Sequence, residues 1–366
     1  MYENDKRVVM TLDAGGTNFV FSAMQGGKEI VDPVLLPSVP DNLEGCLSQL
    51  LKGFEAVKEK LAEQPVAISF AFPGPADYCR GIIGDLPNFP AFRGGVALGP
   101  FLEEKFNLPV YINNDGNLYA YGEALFGFLP QINRMLAESG SSRKYKNLIG
   151  ITLGTGFGCG VVLDNVLLTG DNSCGGDMWL MRNIRNLDMI SEENVSIRGI
   201  KRVYHELSGL DASALTPKDI FDIAEGKMEG DSKAAAASFY QLGEVVGNAI
   251  VHGLDIVDGM VVLGGGVSKA AKYIMPGILE AVNGQVKTYA GDTFPCLQIS
   301  VYDLTDEEGM KIFLKDEATM VKIPGTDKEI AYSSHRKAGV AVTSVGASNA
   351  IALGAYAFAL NKLDNR

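Results

Sequence analysis

Four short segments of this sequence place carboxylates, hydroxyls and bare glycine backbone in patterns suited to phosphate chemistry. The first is Asp13-Ala14-Gly15-Gly16-Thr17-Asn18. Its paired glycines let backbone N–H groups approach an anion with no Cβ in the way. Thr17 and Asn18 add hydrogen bonds for phosphate oxygens. Asp13, at a strand end, could hold Mg2+ through water, because hard cations take oxygen ligands. The second segment, Leu153-Gly154-Thr155-Gly156-Phe157-Gly158, offers the same flexible backbone and the Thr155 hydroxyl. The third, Asn113-Asn114-Asp115-Gly116-Asn117, puts a carboxylate where a buried strand meets a helix. The positive end of the helix dipole keeps Asp115 ionised there. Phosphoryl transfer asks a protein to position reactants, neutralise charge and accept the hydroxyl proton, a task that suits Asp115. Asn114 beside it suits bonds to sugar hydroxyls. The fourth, Val262-Leu263-Gly264-Gly265-Gly266-Val267-Ser268, is a strand, glycine loop and helix start whose bare backbone admits a base or ribose.

Each segment alone also has an ordinary structural explanation. The first is equally a hairpin turn with an Asp cap, the second a glycine-rich packed strand, and the third a helix N-cap. The fourth matches neither GxxxxGK[ST] nor GxGxxG. Two glycine hairpins in one chain are better support than either by itself.

The elements that must carry these residues alternate between strand and helix. Residues 8–24 and 148–163 both read as strand, glycine turn, strand, a weak repeat that suggests two similarly built halves. Between them, residues 43–62 show helical spacing of Leu43, Leu47, Leu50, Leu51, Phe54, Val57 and Leu61. A strand over Val66–Phe72 ends at Pro73-Gly74-Pro75, and a helix over 99–107 leads to a short strand at Val110–Ile112. A helix follows Asp115 and stops at Gly127, and another starts near Ser268. This alternation predicts an α/β protein. Residues 128–147 and the charged stretch 305–337 read as surface insertions.

The 366 residues are 46% hydrophobic and 21% charged, which describes a globular chain rather than a disordered one. A formal charge of −12 disfavours nucleic acid as a partner, because phosphate backbones bind basic faces. The scattered Cys46, Cys79, Cys159, Cys174 and Cys296 form no CxxC pair and read as buried thiols in a reducing cytosol. The charged N-terminus shows no signal peptide. Residues 338–360 are long enough to span a bilayer but contain Gly339, Gly346, Gly354 and several polar residues. A strand leading into a buried C-terminal helix explains them better, so no membrane partner is expected.

In this order, the DAGGTN hairpin, FPGP at 72–75, NNDGN at 113–117, LGTGFGCG at 153–160 and VLGGGVS at 262–268 resemble the ROK family of sugar kinases and repressors. The resemblance runs from about residue 8 to the helix near 354–360 and is weak across both insertions. It implies a two-lobed actin-like or hexokinase-like (ribonuclease H-like) fold with a central cleft. The N-terminal lobe would span 1–117, completed by the C-terminal helix at about 350–366, and the second lobe 118–349. It also implies ATP and Mg2+ as cofactors, a sugar substrate, a homodimer and a cytoplasmic location. Asp13 would sit by Mg2+ and the phosphates, with Gly15, Gly16, Thr17 and Asn18 around phosphate. Gly154, Thr155 and Gly156 would form the second phosphate loop, and Gly265 and Gly266 would lie against adenosine. Gly74, Asn114 and Asp115 would line the sugar pocket. Asp115 would act as general base for in-line transfer to a sugar hydroxyl, most often at C6.

Departures from the family pattern concern the sugar. Many members carry Gly-Glu-x-Gly-His, whereas this chain has Gly176-Asp177-Met178-Trp179-Leu180. Leu180 can neither bond a hydroxyl nor ligate a metal, and the family's downstream cysteine cluster is missing, so no structural zinc is expected. Asp177 is shorter than the family's glutamate. A later sugar-contacting glutamate falls at Glu192, with Glu193 as its close rival. Trp179 either stacks on a sugar or fills the core, the latter being the commoner role. Arg182 either reads an anionic group or forms a surface ion pair. The expected substrate is a hexose or amino-sugar derivative. The alternatives are a sugar-responsive repressor, disfavoured by acidity and the short segment before Val8, and a degenerate sugar or nucleotide binder without turnover.

Overall fold

The computed structural model describes residues 1–15, 17–84, 90–315 and 317–365. The chain divides into two compact units. The first comprises Met1–Gly127, Cys159–Gly176 and Ser344–Arg366; the second comprises Phe128–Gly158 and Asp177–Thr343.

The sheet of the first unit runs Lys28–Glu29, Asn18–Gln25, Val8–Ala14, Pro65–Ala71, Val110–Asn113, and Val34–Pro37 also pairs with Asn18–Gln25. The first hairpin is antiparallel, and Pro65–Ala71 and Val110–Asn113 then add in parallel. On one face lies the helix Leu43–Lys60, whose Asn42 cap accepts from the Gly45 N–H. Its Phe54 packs edge-on against Phe21 at 5.0 Å and Phe106 at 5.9 Å, with Phe70 tilted at 6.0 Å. These rings form the centre of a core that also takes in Val8, Met10, Leu12, Ile68 and Ile112.

On the other side the helix Asp115–Leu125 packs against the C-terminal helix Ala347–Asp364. The latter buries Ala350, Leu353 and every residue from Gly354 to Leu360, as its nearly continuous apolar middle requires. A Cβ on Gly354 would fall 1.8 Å from the Leu118 carbonyl oxygen, and one on Gly122 would fall 1.9 Å from that of Ala350. The two backbones therefore touch at a glycine from each helix. This accounts for residues 338–360, which form the strand Lys337–Val342 and the buried start of the C-terminal helix. Among the described residues no helix is long and apolar enough to cross a membrane.

The second unit is built on parallel strands Leu148–Leu153, Met260–Gly264, Lys337–Val342 and Ser300–Asp303, paired in that order. The long helix Ser232–Val257 and the helix Ala271–Val282 pack together beside them.

Four expectations are revised. A lobe boundary at residue 117 would cut the helix Asp115–Leu125, which stays whole in the first unit because it packs on the C-terminal helix; residues 159–176 join that unit too. Residues 128–147 are not a surface insertion. They form the helix Phe128–Glu138, which buries Phe128, Leu129, Ile132 and Leu136, and Tyr145, stacked on Phe313 at 5.8 Å. Within 305–337, the helix Glu307–Leu314 buries Phe313, and Lys337 is buried with its Nζ donating to the Ile312 carbonyl at 2.8 Å. The hairpin Thr319–Lys322 with Glu329–Tyr332 is fully exposed. The thiols differ as well: Cys46 and Cys159 are buried, but Cys79 and Cys174 are exposed.

Gly354→Ala should lower the unfolding free energy by about 3 kcal/mol, because the added methyl meets backbone that cannot yield. Urea titration of both proteins measures this; an unchanged midpoint would show that the helices separate at little cost.

Candidate active site

In the first unit the residues singled out by type gather at one end of one sheet. Asp13 pairs in register with Ala71, and Ala71 with Asn113, across three parallel strands. Neighbouring strands are about 4.8 Å apart, so the backbones of Asp13 and Asn113 lie about 10 Å apart. Where each strand ends, the chain turns outward with Gly15, with Gly74 and with Asn114-Asp115. Open α/β sheets bind ligands at this end, outside the carboxyl termini of their parallel strands.

Local structure explains each position. The first turn closes with the Gly15 N–H donating to the Asn18 carbonyl at 3.0 Å, and Thr17 is tied to the next strand by the Ser38 N–H at 3.0 Å. The side chains of Asp13, Thr17 and Asn18 are exposed, while Gly16 lies outside the described residues. Gly74 sits against Tyr78, whose hydroxyl donates to the Phe72 carbonyl at 2.9 Å. Asn114 is the N-cap of the helix Asp115–Leu125, and its Oδ1 accepts from the Gly116 N–H at 2.8 Å. The Asp115 Oδ1 accepts from the same N–H at 2.8 Å. Asn113 supports the turn, its Oδ1 accepting from the Asn114 N–H and from the Asn117 amide at 2.8 and 3.0 Å. Asp115 is therefore held in the first helical turn with its carboxylate open to solvent.

Burial pushes the Asp115 carboxyl above the usual range, opposed by hydrogen bonds from the backbone. Asp13 is also raised, first by partial burial and then by the negative charge of Asp115. A hard cation beside Asp13 would offset that repulsion. Asp13, exposed at the strand end, fits Mg2+, which commonly takes one or two carboxylates and completes its shell with water and phosphate oxygens.

The second unit repeats the arrangement. Leu263 and Gly264 pair with Ile151 and Thr152, so the loop at Gly265 emerges beside the turn at Gly154. Gly265 has φ +84°, and a Cβ there would fall 2.3 Å from the Leu153 carbonyl oxygen, so only glycine fits. The Ser268 hydroxyl closes this loop by donating to the Gly265 carbonyl at 2.8 Å. Gly266 is exposed with open space above it. In the turn itself, the Gly154 N–H donates to the Gly156 carbonyl at 3.1 Å, leaving Thr155 exposed at the tip.

Glu192 also belongs to this turn. Its Oε2 accepts from the Phe157 N–H at 3.0 Å, and its Oε1 pairs with Arg198 at 2.9 Å. Glu193 pairs with the same arginine at 2.8 Å. The Ile197 N–H, at the start of the helix Ile197–Ser208, donates to the Gly154 carbonyl at 3.0 Å. Arg198 and this helix start were missed in the sequence; the signal was Ser196, the N-cap that directs the helix at the glycine turn. Asp177 and Arg182 are exposed, Trp179 is half-buried, and Leu180 is 53% exposed. Among the described residues no group of three His, Cys, Asp or Glu is placed to hold a metal ion.

Each unit thus carries an α/β sheet of the ribonuclease H-like kind with glycine loops at its carboxyl end, the architecture of the actin-like and hexokinase-like proteins. The pattern of the ROK family matches residues 9–311, and the chain belongs to that family. It is similar to a glucokinase from Parabacteroides distasonis of known crystal structure, with 56% identity, 99% of both chains covered and a TM-score of 0.89. A glucokinase from Thermotoga maritima is 25% identical over 298 residues, 76% of this chain and 87% of that protein. A xylose repressor from Caldicellulosiruptor bescii is 25% identical over 278 residues, 70% of this chain and 65% of that protein.

A carboxyl raised in the folded state holds more protons than the same group unfolded, so stability falls as pH rises through the interval just above the usual Asp range. Above that interval the ionised Asp115 weighs fully against the fold. Asp115→Asn should therefore raise Tm at neutral pH and change it little near about pH 3, where the carboxyl is protonated in both states. Thermal unfolding at the two pH values measures this, and a lower Tm at neutral pH contradicts the direction.

Proposed function

We propose that this chain is an ATP-dependent sugar kinase that phosphorylates a hexose or amino-sugar hydroxyl, at C6, with Asp115 as general base. The observation that carries the reading is the register of the first sheet, which aligns Asp13, the strand leading to Gly74, and Asn113 before Asp115. The Parabacteroides distasonis relative, alike along its length, is a glucokinase, and this supports the same class of acceptor.

In this reading the loop Gly15–Asn18 and the turn Gly154–Gly156 bind phosphate oxygens through backbone N–H groups and the hydroxyls of Thr17 and Thr155. Gly265 and Gly266 lie against adenosine, where an added side chain on Gly266 would take ligand space. Mg2+, when bound near Asp13 through water, neutralises charge on the phosphates. Gly74 and Asn114 position the sugar, and Asp115 takes the hydroxyl proton as the oxygen attacks in line. Burial raises the Asp115 pKa and brings its basicity nearer to the operating pH. Asp177 supplies a sugar contact with a shorter reach than glutamate. The substitution of leucine at 180 removes a donor, so the sugar rather than the reaction is what this chain has altered. Glu192 contacts the sugar while holding the Phe157 N–H, in preference to Glu193, which lacks that bond. A homodimer in the cytoplasm completes the reading, and light scattering on the purified protein reads the first part.

A coupled assay of ADP release with Mg·ATP and a panel of hexoses and amino sugars tests the reading. Asp115→Asn should lower kcat by about 10²–10⁴-fold with little change in the KM for ATP. Near-normal turnover would remove Asp115 as base. ATP and sugar binding without turnover on any of the panel would instead favour a non-catalytic sugar-responsive binder.

Glu192→Ala should raise the KM for both substrates, because the residue braces the phosphate turn as well as facing sugar. A change confined to the sugar KM would limit Glu192 to substrate contact.

A further inference from the structure

Two of the five cysteines are exposed, and both belong to the first unit. Cys79 lies in the turn of a small hairpin joining Ala76–Asp77 to Ile82–Ile83, closed by the Arg80 and Gly81 N–H groups on the Asp77 and Tyr78 carbonyls. Cys174 lies in a loop closed by the Gly175 N–H on the Thr169 carbonyl at 3.2 Å. The two loops meet: the Cys79 Sγ is 3.8 Å from the Ser173 Oγ. Ser173 reaches it from a left-handed backbone, φ 57°, a conformation uncommon outside glycine. Adjacent Cα atoms are about 3.8 Å apart, so the Cys79 sulfur is within roughly 10 Å of the Cys174 Cα.

We propose that Cys79 and Cys174 are a modification site, a dithiol that small-molecule disulfides of the glutathione type convert into a protein disulfide. A disulfide needs Cα atoms within about 4.4–6.8 Å, so the loop tips must approach by a few ångströms. Both tips are exposed. The chemistry balances. The Cys79 thiolate, beside the Ser173 hydroxyl, attacks one sulfur of oxidised glutathione, whose S–S bond breaks to release one thiol. The Cys174 thiolate, which as a thiol donates to the Asn172 carbonyl at 3.2 Å, then attacks the mixed disulfide and releases the second glutathione. The protein loses two protons and two electrons, and the glutathione disulfide gains them. Burial sets two of the other thiols aside. Cys46 is fully buried with its thiol pushed up to about 12, and Cys159 is also buried, so neither offers an accessible thiolate.

The consequence for turnover rests on the kinase reading above, whereas the thiol chemistry does not. Cys79 follows Gly74 on one loop, and Cys174 precedes Gly176 and Asp177 on the other. A bridge would hold both segments away from the geometry that receives the sugar. Incubation of the full chain with oxidised glutathione should remove two hydrogens from the intact mass and yield a linked peptide containing Cys79 and Cys174. Turnover on the accepted sugar should fall by about tenfold or more and return with dithiothreitol. Cys174→Ser should retain one glutathione on Cys79, form no bridge and keep most of its turnover, and Cys79→Ser should form no bridge. Glutathione on both thiols without a bridge, a bridge to another cysteine, or full turnover of the bridged protein overturns the proposal. Bridge formation in a protein that never turns over any sugar would fault the kinase reading and leave the dithiol site standing.

Discussion

The helix that presents Asp115 lies where it does because its backbone touches that of the C-terminal helix. Gly122 and Gly354 each face a carbonyl of the other helix with no room for a methyl group. That contact brings the last residues of the chain against residues 115–125 and the first sheet. The position of the Asp115 carboxylate therefore depends on a close approach whose two sides are far apart in sequence. Backbone packed this closely has little freedom to shift, so the carboxylate is held by the core rather than by a loop.

The sheet register then decides which other groups share the space. Asp13, Ala71 and Asn113 align across parallel strands, and the chain leaves each at the same end. Burial raises both carboxyl pKa values, and the charge of Asp115 adds to the shift at Asp13. Such an arrangement weighs against stability at neutral pH. Perturbed carboxyl groups of this kind cluster at functional sites.

The second unit uses the same geometry with different support. Its glycine turn is braced from outside by Glu192, by the Ile197 N–H and, through the carboxylate, by Arg198. A turn that uses its N–H groups for a ligand needs its shape maintained by other groups. The carboxylate on the Phe157 N–H and the helix start on the Gly154 carbonyl provide that support.

Much of this was legible in the order of residues. Strand-to-glycine-turn patterns located both hairpins, Asp13 and Asp115 stood out as carboxylates at strand ends, and the amphipathic spacing of residues 43–62 marked a helix correctly. These are local properties, set by the φ/ψ freedom of glycine and the periodicity of burial. The failures were nonlocal. Polar residues in 128–147 suggested a surface insertion, but four apolar side chains at helical spacing find a core to fill there. Five scattered cysteines suggested uniform burial, but turns expose two of them, and one of these lies against the residue before the other. The sequence by itself determined which groups can do chemistry and which segments turn, because those follow from side-chain type and local backbone sterics. Only the tertiary structure decided that Glu192 braces a glycine turn and that Gly354 admits the helix carrying Asp115. It alone decided, too, that Cys79 lies beside Ser173, because contact between distant residues is set by packing.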